Sequence, residues 1–327
     1  MPGPLQPSPA SLVDRRLVVV TGKGGTGKTT VAAALGLAAA RLGRRVLLVE
    51  TGRDENLPRL LTPDGADAGY QGRELLPGLR SMRMDPYEAL AEYLGLQLGG
   101  RLLVRSVLRN RGFRQLMDAS PGWRELITLG KVWHLEQERG PDGGPAHELL
   151  IVDAPATGHG LTLLDVPRVV MAAVRAGPLR RNASRVEAML RDPERTLLVP
   201  VALPEELPAR ETAELVERVR GEIGIAVDRV VVNGMPEPPF PDSLPDLDER
   251  IAALPGLSVP GLRDPEVLAR CARHLRSRFE LARSHRGRIA EWTGLPLVEL
   301  PLLPAGVRGP DDLARLAAPL VGELAAA

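Results

Sequence analysis

A glycine-rich stretch near the N-terminus carries two of the three lysines of the chain. It reads GKGGTGKTT from residue 22 to residue 30 and satisfies the spacing GxxxxGK[ST]. Glycines in such a loop let backbone N–H groups turn toward phosphate oxygens, and the dipole of a following helix favours the same negative charge. The pattern therefore predicts a loop that cradles the phosphates of a nucleotide. The expected contacts are Gly22, Gly24, Gly25, Thr26, Gly27, Lys28, Thr29 and Thr30.

Two side chains of this loop and one distant carboxylate have the chemistry needed to hold ATP with Mg²⁺. We expect Lys28 to reach the β- and γ-phosphates, and the hydroxyl of Thr29 to bind the metal ion. Asp153 follows the aliphatic run LLIV, and an acidic residue at the end of such a strand holds the same ion, usually through water. The sequence therefore predicts ATP and Mg²⁺ as cofactors, with Thr29 and Asp153 at the metal.

The second lysine of the loop, Lys23, directly follows its first glycine. Because Lys28 already serves the phosphates of its own subunit, Lys23 has no task there. In ATPases with this second lysine, it reaches the ATP of a partner subunit, like an arginine finger worth about 10³ to 10⁵ in rate. Only three of the 42 basic residues are lysines, which favours this role over that of a solvated loop residue. We expect two subunits to enclose the nucleotide, as a homodimer or as a heterodimer with a related ATPase chain.

The elements around the loop must form a parallel sheet. RLVVVT (16–21) is typical of a buried strand, an alanine-rich helix follows the loop, and RVLLVE (45–50) predicts a second strand. A strand, a helix and a strand at this spacing indicate a βαβ unit. Further strands are expected at 79–85, 148–155, 195–204, 228–235 and 295–301, with helical stretches around 86–139, 205–222 and 264–292.

The alternation of strands and helices predicts one doubly wound α/β domain with a mostly parallel sheet of the P-loop NTPase type. Residues 1–15, rich in Pro and Ser, are expected to be a disordered lead-in to a single ATPase domain over 16–327. The helical segments 86–145 and 236–292 are expected to form a lid-like subdomain over the strand ends.

Composition excludes several kinds of protein. A formal net charge of +1 argues against an electrostatic grip on nucleic acid, so no nucleic-acid partner is expected. Cys271 is the single cysteine, which excludes an internal disulfide and a cysteine-cluster metal site within one chain. No apolar run approaches the roughly 18 residues of a membrane span, so the predicted location is cytoplasmic. The leucines of the terminal helix either pack on the sheet or associate with a membrane surface.

Four segments together resemble the ArsA-type anion-transporting ATPase family, in the order in which that family has them. They are GKGGTGKTT, DAPATGHGLTLLDVP, the Asn of VVVNGM and LPLVELPLLPAGVRG, and the resemblance extends from about residue 16 to 323. It implies that residues 155–159 form switch II, which senses the γ-phosphate. It implies that Asn233 recognises adenine, the alternative being a polar strand-end cap. It also places Pro304 in a loop, 301–309, that closes over the adenine.

The chain departs from the family pattern after the second strand. The family's switch I reads DPA, and its Asp positions the attacking water, but ungapped alignment puts Gly52 there. Either Asp54 or Glu55 replaces that Asp, with Asp54 the catalytic candidate, or the chain hydrolyses ATP slowly. Loss of a positioned acid or base costs about 10² to 10⁴ in rate. ATP binding can therefore persist where turnover is poor.

The resemblance implies the ATP-driven machinery and leaves the cargo open. One cysteine cannot supply the thiolates that capture arsenite, and the paired-cysteine clamp and Met-rich insert of the tail-anchored-protein targeting factor are missing. The first hypothesis is a dimeric ATPase whose opening and closing moves a helical subdomain on an unidentified cargo or membrane partner. The alternative is a slow or non-hydrolysing nucleotide-gated switch that pairs with a partner subunit. Lys23 argues against a small-molecule kinase, which needs no such lysine.

The third lysine lies outside these motifs. Lys131, in LGKVWHLE, has either a functional or interface role or is a retained surface residue. Residues 263–288 carry eight arginines interrupted by acidic residues, which indicates a solvated helix face with ion pairs or, alternatively, a docking face.

Overall fold

The computed structural model describes residues 12–52, 54–98, 111, 115, 122–240 and 265–321. The strands of these residues are β1 (Leu17–Gly22), β2 (Val46–Glu50), β3 (Arg73–Leu76), β4 (Leu79–Arg83), β5 (Leu149–Ala156), β6 (Thr196–Ala202), β7 (Val230–Met235) and β8 (Leu297–Pro301). They form one sheet in the order β3-β4-β2-β5-β1-β6-β7-β8. Every neighbouring pair is parallel except β3 and β4. The predicted α/β class with a mostly parallel sheet is confirmed.

Helices cover both faces of the sheet. They are α1 (Lys28–Arg41), α2 (Leu57–Leu61), α3 (Pro86–Leu98), α4 (Trp123–Gln137), α5 (Thr157–Ala173), α6 (Pro178–Arg191), α7 (Glu206–Arg218), α8 (Pro265–Thr293) and α9 (Pro310–Val321). Strand side chains alternate between two buried cores, since Val18 and Val20 share one core with α1, α2 and α9, whereas Leu17 and Val19 share the other with α4 to α7. Helix α8 packs against α7.

All seven strands predicted from the apolar runs are present, with bounds that differ by no more than two residues. The sheet adds β3, which the sequence analysis did not predict. This strand pairs with β4 through a tight turn in which Gly78 has φ 76°. Its RELL sequence has too few apolar residues for a buried strand, but the Pro77-Gly78 pair that follows is a recognised turn signal.

The two ends of the described chain pack against α1. Leu12 and Val13 are buried in a short 3₁₀ turn, so the predicted disordered lead-in is wrong for residues 12–15. Leu12 and Val13 are close enough to the first strand to pack into its core. Residues 1–11 lie outside the described residues. Helix α9 buries its leucines against the same core, as the packing alternative predicted. No helix of the described residues is long and apolar enough to cross a membrane.

The predicted lid-like subdomain is described only in part. Helices α3 and α4 lie within the first predicted segment, 86–145, and α8 lies within the second, 236–292. Most of residues 99–121 and all of 241–264 lie outside the described residues. The subdomain and its movement therefore stay predictions.

Candidate functional site

The glycine-rich loop joins the carboxyl end of β1 to the first turn of α1, in the middle of the sheet. Gly25 and Gly27 have φ of 85° and 86°, a left-handed conformation that glycine adopts without strain. A Cβ on Gly27 would also collide with the side-chain amide of Asn233. Gly22 meets the same restriction, because a Cβ there would collide with the backbone oxygen of Val201. Gly22, Gly25 and Gly27 are therefore required by backbone conformation or by close packing, whereas Gly24 is not.

Thr29 and Asp153 meet at the centre of this edge of the sheet. The Thr29 hydroxyl donates a hydrogen bond of 2.6 Å to Oδ2 of Asp153, which is 8% exposed. Oδ1 of Asp153 is buried without a hydrogen-bond partner among the described residues. Burial raises the pKa of Asp153, while the Thr29 hydrogen bond and the charge of Lys28 oppose that rise. A hydroxyl beside a carboxylate with a free buried oxygen fits Mg²⁺, a cation that prefers oxygen ligands.

The amino group of Lys28 lies inside the loop. Its Nζ donates to the backbone oxygen of Lys23 at 3.0 Å, and the Thr26 hydroxyl donates to the same oxygen at 2.9 Å. Burial lowers the pKa of Lys28, and the nearby carboxylate of Asp153 partly offsets this effect. The amino group of Lys28 thus lies inside the loop, where phosphate oxygens can replace the backbone oxygen of Lys23 as its hydrogen-bond acceptor.

Lys23 forms an ion pair within its own chain. Its Nζ lies 2.7 Å from Oε1 of Glu211 in α7, and the two side chains are 28% and 32% exposed. Glu211 was not predicted from the sequence, because a glutamate in a helix 188 residues away gives no signal of contact with the loop. The predicted role of Lys23 toward a partner subunit requires this ion pair to break.

The two acidic candidates for the switch I position have different environments. Glu55 is 5% exposed, accepts a hydrogen bond of 3.0 Å from the Gly69 amide and pairs with Arg83 at 3.3 Å. These contacts tie Glu55 to the loop before β3, so its carboxylate serves the local fold. Asp54 is exposed. At Gly52, an added Cβ would meet no atom of the described residues closer than 3.7 Å, so the backbone there accepts a residue with a Cβ.

A further buried carboxylate, Glu50, lies beside Asp153 and was missing from the predicted site. Glu50 ends β2, is 2% exposed and is paired in register with Asp153. It accepts hydrogen bonds from the amides of Asn56 at 2.7 Å and Leu57 at 3.2 Å, at the start of α2. Burial raises its pKa to about 7, and the charge of Asp153 acts in the same direction. An acid at the end of the apolar run VLLV is the signal that could have identified it.

The residues predicted to contact adenine lie at the ends of β7 and β8. Asn233 donates a hydrogen bond of 3.0 Å from Nδ2 to the backbone oxygen of Thr26, so its amide supports the phosphate loop. Pro304 is exposed in the loop after β8, and the Leu302 amide donates to the Met235 oxygen at 2.7 Å. The structure brings Asn233 to the loop, whereas recognition of adenine by Asn233 and Pro304 stays a prediction.

The predicted switch II segment, 155–159, spans the end of β5 and the start of α5. A Cβ on Gly24 would lie 3.9 Å from the Cβ of Ala156, so this segment adjoins the phosphate loop. Helix α5 begins at Thr157, directly after the strand that carries Asp153. The side chains of Thr157 and His159 lie outside the described residues. The backbone alone therefore links the strand end that carries Asp153 to α5.

Comparisons with known proteins agree with this geometry. The profile of the family described as Anion-transporting ATPase matches residues 15–182, about half of the chain. The chain is 31% identical over 230 residues to the ATPase BagA of Mycobacterium tuberculosis, covering 69% of this chain and 66% of that protein. It is 34% identical over 172 residues to the uncharacterized protein SCO2128 of Streptomyces coelicolor, covering 52% and 42%. It is 28% identical over 290 residues to the ATPase get3 of Botryotinia fuckeliana, covering 75% and 79%.

Proposed function

The chain belongs to the anion-transporting ATPase family, and from that membership and the geometry of its loop we propose that it is a Mg²⁺-dependent ATPase. The observation that carries this proposal is the contact between Thr29 and Asp153, at 2.6 Å, beside the amino group of Lys28. Two distant segments of the sequence supply the three groups that phosphate and its metal ion need. A glycine-rich turn without nucleotide function would not need the buried, unpartnered oxygen of Asp153.

Each group of the site has a distinct task in this proposal. The Thr29 hydroxyl and the Asp153 carboxylate would hold Mg²⁺, which when bound neutralises charge on the β- and γ-phosphates. The amino group of Lys28 would leave the Lys23 carbonyl and bind phosphate oxygens. The backbone amides of the glycine-rich loop would orient the phosphate chain at the N-terminus of α1. Asn233 would hold the loop in place through its hydrogen bond to Thr26.

The proposed active form is a dimer, either of two copies or of this chain with a related one. Support for this proposal is that the amino group of Lys23 contacts Glu211 in α7, whereas the amino group of Lys28 lies inside the loop. Both side chains of this pair are about one third exposed, so a partner surface can reach them. When two subunits close, the amino group of Lys23 would leave Glu211 and contact the phosphates of the partner's ATP. The proposed cycle would act on a cargo or on a membrane-associated partner.

ATP turnover at increasing protein concentration tests this proposal. Turnover per subunit should rise with concentration, and native mass should double with ATP and Mg²⁺. Lys28→Ala should abolish ATP binding, whereas Lys23→Ala should retain binding and lose turnover by about 10³ or more. Normal ATP binding by Lys28→Ala would refute the phosphate-loop role, and normal turnover by Lys23→Ala would refute the trans role.

A second candidate function is a nucleotide-gated switch that hydrolyses ATP slowly, on its own or with a partner subunit. It is favoured by Gly52 at the position of the family's water-positioning Asp, and by the engagement of Glu55 with Gly69 and Arg83. Gly52→Asp should then raise turnover by about 10² or more, because the backbone at this position accepts a residue with a Cβ. Gly52→Asn, of matched size, should not. Equal turnover of the unchanged protein and both variants would show that the missing acid at position 52 does not limit the rate of hydrolysis.

A further inference from the structure

A cavity lies between α3, α4 and α6, and no residue of the glycine-rich loop is among its described lining. Its volume is about 220 Å³. An engineered apolar cavity of about 150 Å³ in another protein binds benzene, so this one has room for a ring with a small substituent. Its walls combine apolar side chains, such as Leu126 and Ile127, with a set of polar ones. The polar side chains are Glu92, Tyr93, Lys131, His134, Asn182 and Arg185.

One cation of the cavity wall is already neutralised. Lys131, 13% exposed, donates to both carboxylate oxygens of Glu92, at 2.8 and 2.7 Å. The Tyr70 hydroxyl donates to the same carboxylate at 2.6 Å. Burial would raise the pKa of Glu92, but the hydrogen bonds from Lys131 and Tyr70 outweigh it and leave the pKa below its usual value. Glu92 and Lys131 therefore form an ion pair in which the charge of Lys131 is neutralised.

A second cation, Arg185, has no such carboxylate. Its guanidinium lies over the ring of Trp133, 5.6 Å from the ring centroid. Within the described residues no carboxylate forms an ion pair with it. Stacking on an indole leaves the edge of the guanidinium, with its N–H donors, free for a planar acceptor. The amide of Asn182, which donates to the Tyr93 hydroxyl at 3.0 Å, lies on the same wall.

The charge and the lining together define the ligand. We propose that this cavity binds a small monocarboxylate with an apolar body, whose carboxylate meets Arg185 and whose body packs on Leu126 and Ile127. The cations Lys131 and Arg185 outnumber the single carboxylate of Glu92 on the described wall, which disfavours a cationic ligand. A largely apolar lining disfavours a small, strongly hydrated ion such as free phosphate. A carboxylate matches the planar fork of arginine in a bidentate manner.

Ligand-observed NMR titration of the full chain without nucleotide tests this proposal, with benzoate as the probe and benzyl alcohol as its uncharged match. Benzoate should bind with a Kd of about 0.1–1 mM and benzyl alcohol about tenfold more weakly. Arg185→Gln should weaken benzoate binding about tenfold or more. Arg181→Gln, an exposed arginine of the same helix, should leave it unchanged.

A cavity-filling variant tests the location independently of charge. Gly130 of α4 lines the cavity, and a Cβ added there meets no atom of the described residues within 4 Å. Gly130→Leu should abolish benzoate binding, while Gly287→Leu, in an open position of α8, should not. Absence of benzoate binding to the unchanged protein would overturn the proposal. So would equal binding of benzyl alcohol, or full binding by Gly130→Leu. Nucleotide is absent from these titrations, so their outcome is separate from that of the ATPase proposal.

Discussion

Glu211→Gln measures how strongly the ion pair with Lys23 opposes closure of the dimer. The change keeps the shape of the side chain and removes its charge. Both partners are about one third exposed, and exposed ion pairs contribute about 0.2–1 kcal/mol. Because about 1.4 kcal/mol is a tenfold change in an equilibrium constant, release of each Lys23 should favour closure by at most about fivefold, and a homodimer, in which two pairs break, by at most about 25-fold. The stability of the monomer should fall by no more than about 1 kcal/mol.

Sedimentation velocity with ATP and Mg²⁺ measures this shift. Glu211→Gln should form the homodimer at a protein concentration up to about 25-fold lower than the unchanged protein, and the difference should shrink at high salt. Glu217→Gln, an exposed glutamate of the same helix, is the matched control. In a Lys23→Ala background, Glu211→Gln should have no effect, because its influence acts through Lys23.

The opposite result would refute this reasoning. If Glu211→Gln weakens the ATP-dependent dimer, or lowers turnover at saturating protein, the carboxylate is needed in the closed state. The cis ion pair would then be part of the assembly instead of its competitor.

Three further predictions concern the loop and its surroundings. Lys28→Met should reduce ATP binding at least a hundredfold in a fluorescent-nucleotide titration while leaving the melting temperature nearly unchanged, because only a partly buried charge is removed. Gly27→Ala should destabilise the protein more than Gly43→Ala in urea unfolding. Both glycines have φ above 80°, and an alanine in that conformation costs about 1–2 kcal/mol. Only a Cβ at position 27 would also collide with a described side chain, that of Asn233. Glu50 has a pKa of about 7 in the folded protein and an ordinary pKa of 4.5 in the unfolded chain. Between these two pH values the folded protein binds more protons than the unfolded chain, so the unfolding free energy should fall by roughly 3 kcal/mol as the pH rises and then level off. Glu50→Gln should remove this slope, and an unchanged slope would contradict the assigned pKa.

The elements that carry the phosphate loop were predictable because their signals are local. A short apolar run followed by glycines and an alanine-rich segment specifies a strand, a turn and a helix within 30 residues. The same holds for Asp153, which ends an apolar strand. Once both strands belong to a parallel sheet, their carboxyl ends share one edge, and the contact between Thr29 and Asp153 follows.

The missed features depend on contacts between distant segments. Whether Glu55 is free or engaged depends on a loop more than ten residues away, which supplies the Gly69 amide. The raised pKa of Glu50 requires both its burial and its position beside Asp153. The partner of Lys23 lies in α7, beyond five intervening strands of the chain. None of these contacts has a periodicity or a spacing that a single sequence can reveal.

By itself, the sequence determined the fold class, the glycine-rich loop and the strand end that brings Asp153 to it, because backbone conformation and strand burial limit which residues each position accepts. The tertiary structure decided the state of each charge at the site. It showed Lys23 paired within its own chain, Glu55 engaged in the local fold and Glu50 buried beside Asp153. It also placed Lys131 and Arg185 on the wall of one cavity. The reason is physical: local geometry follows from neighbours in the chain, whereas the energy of a charge depends on whichever segments surround it in space.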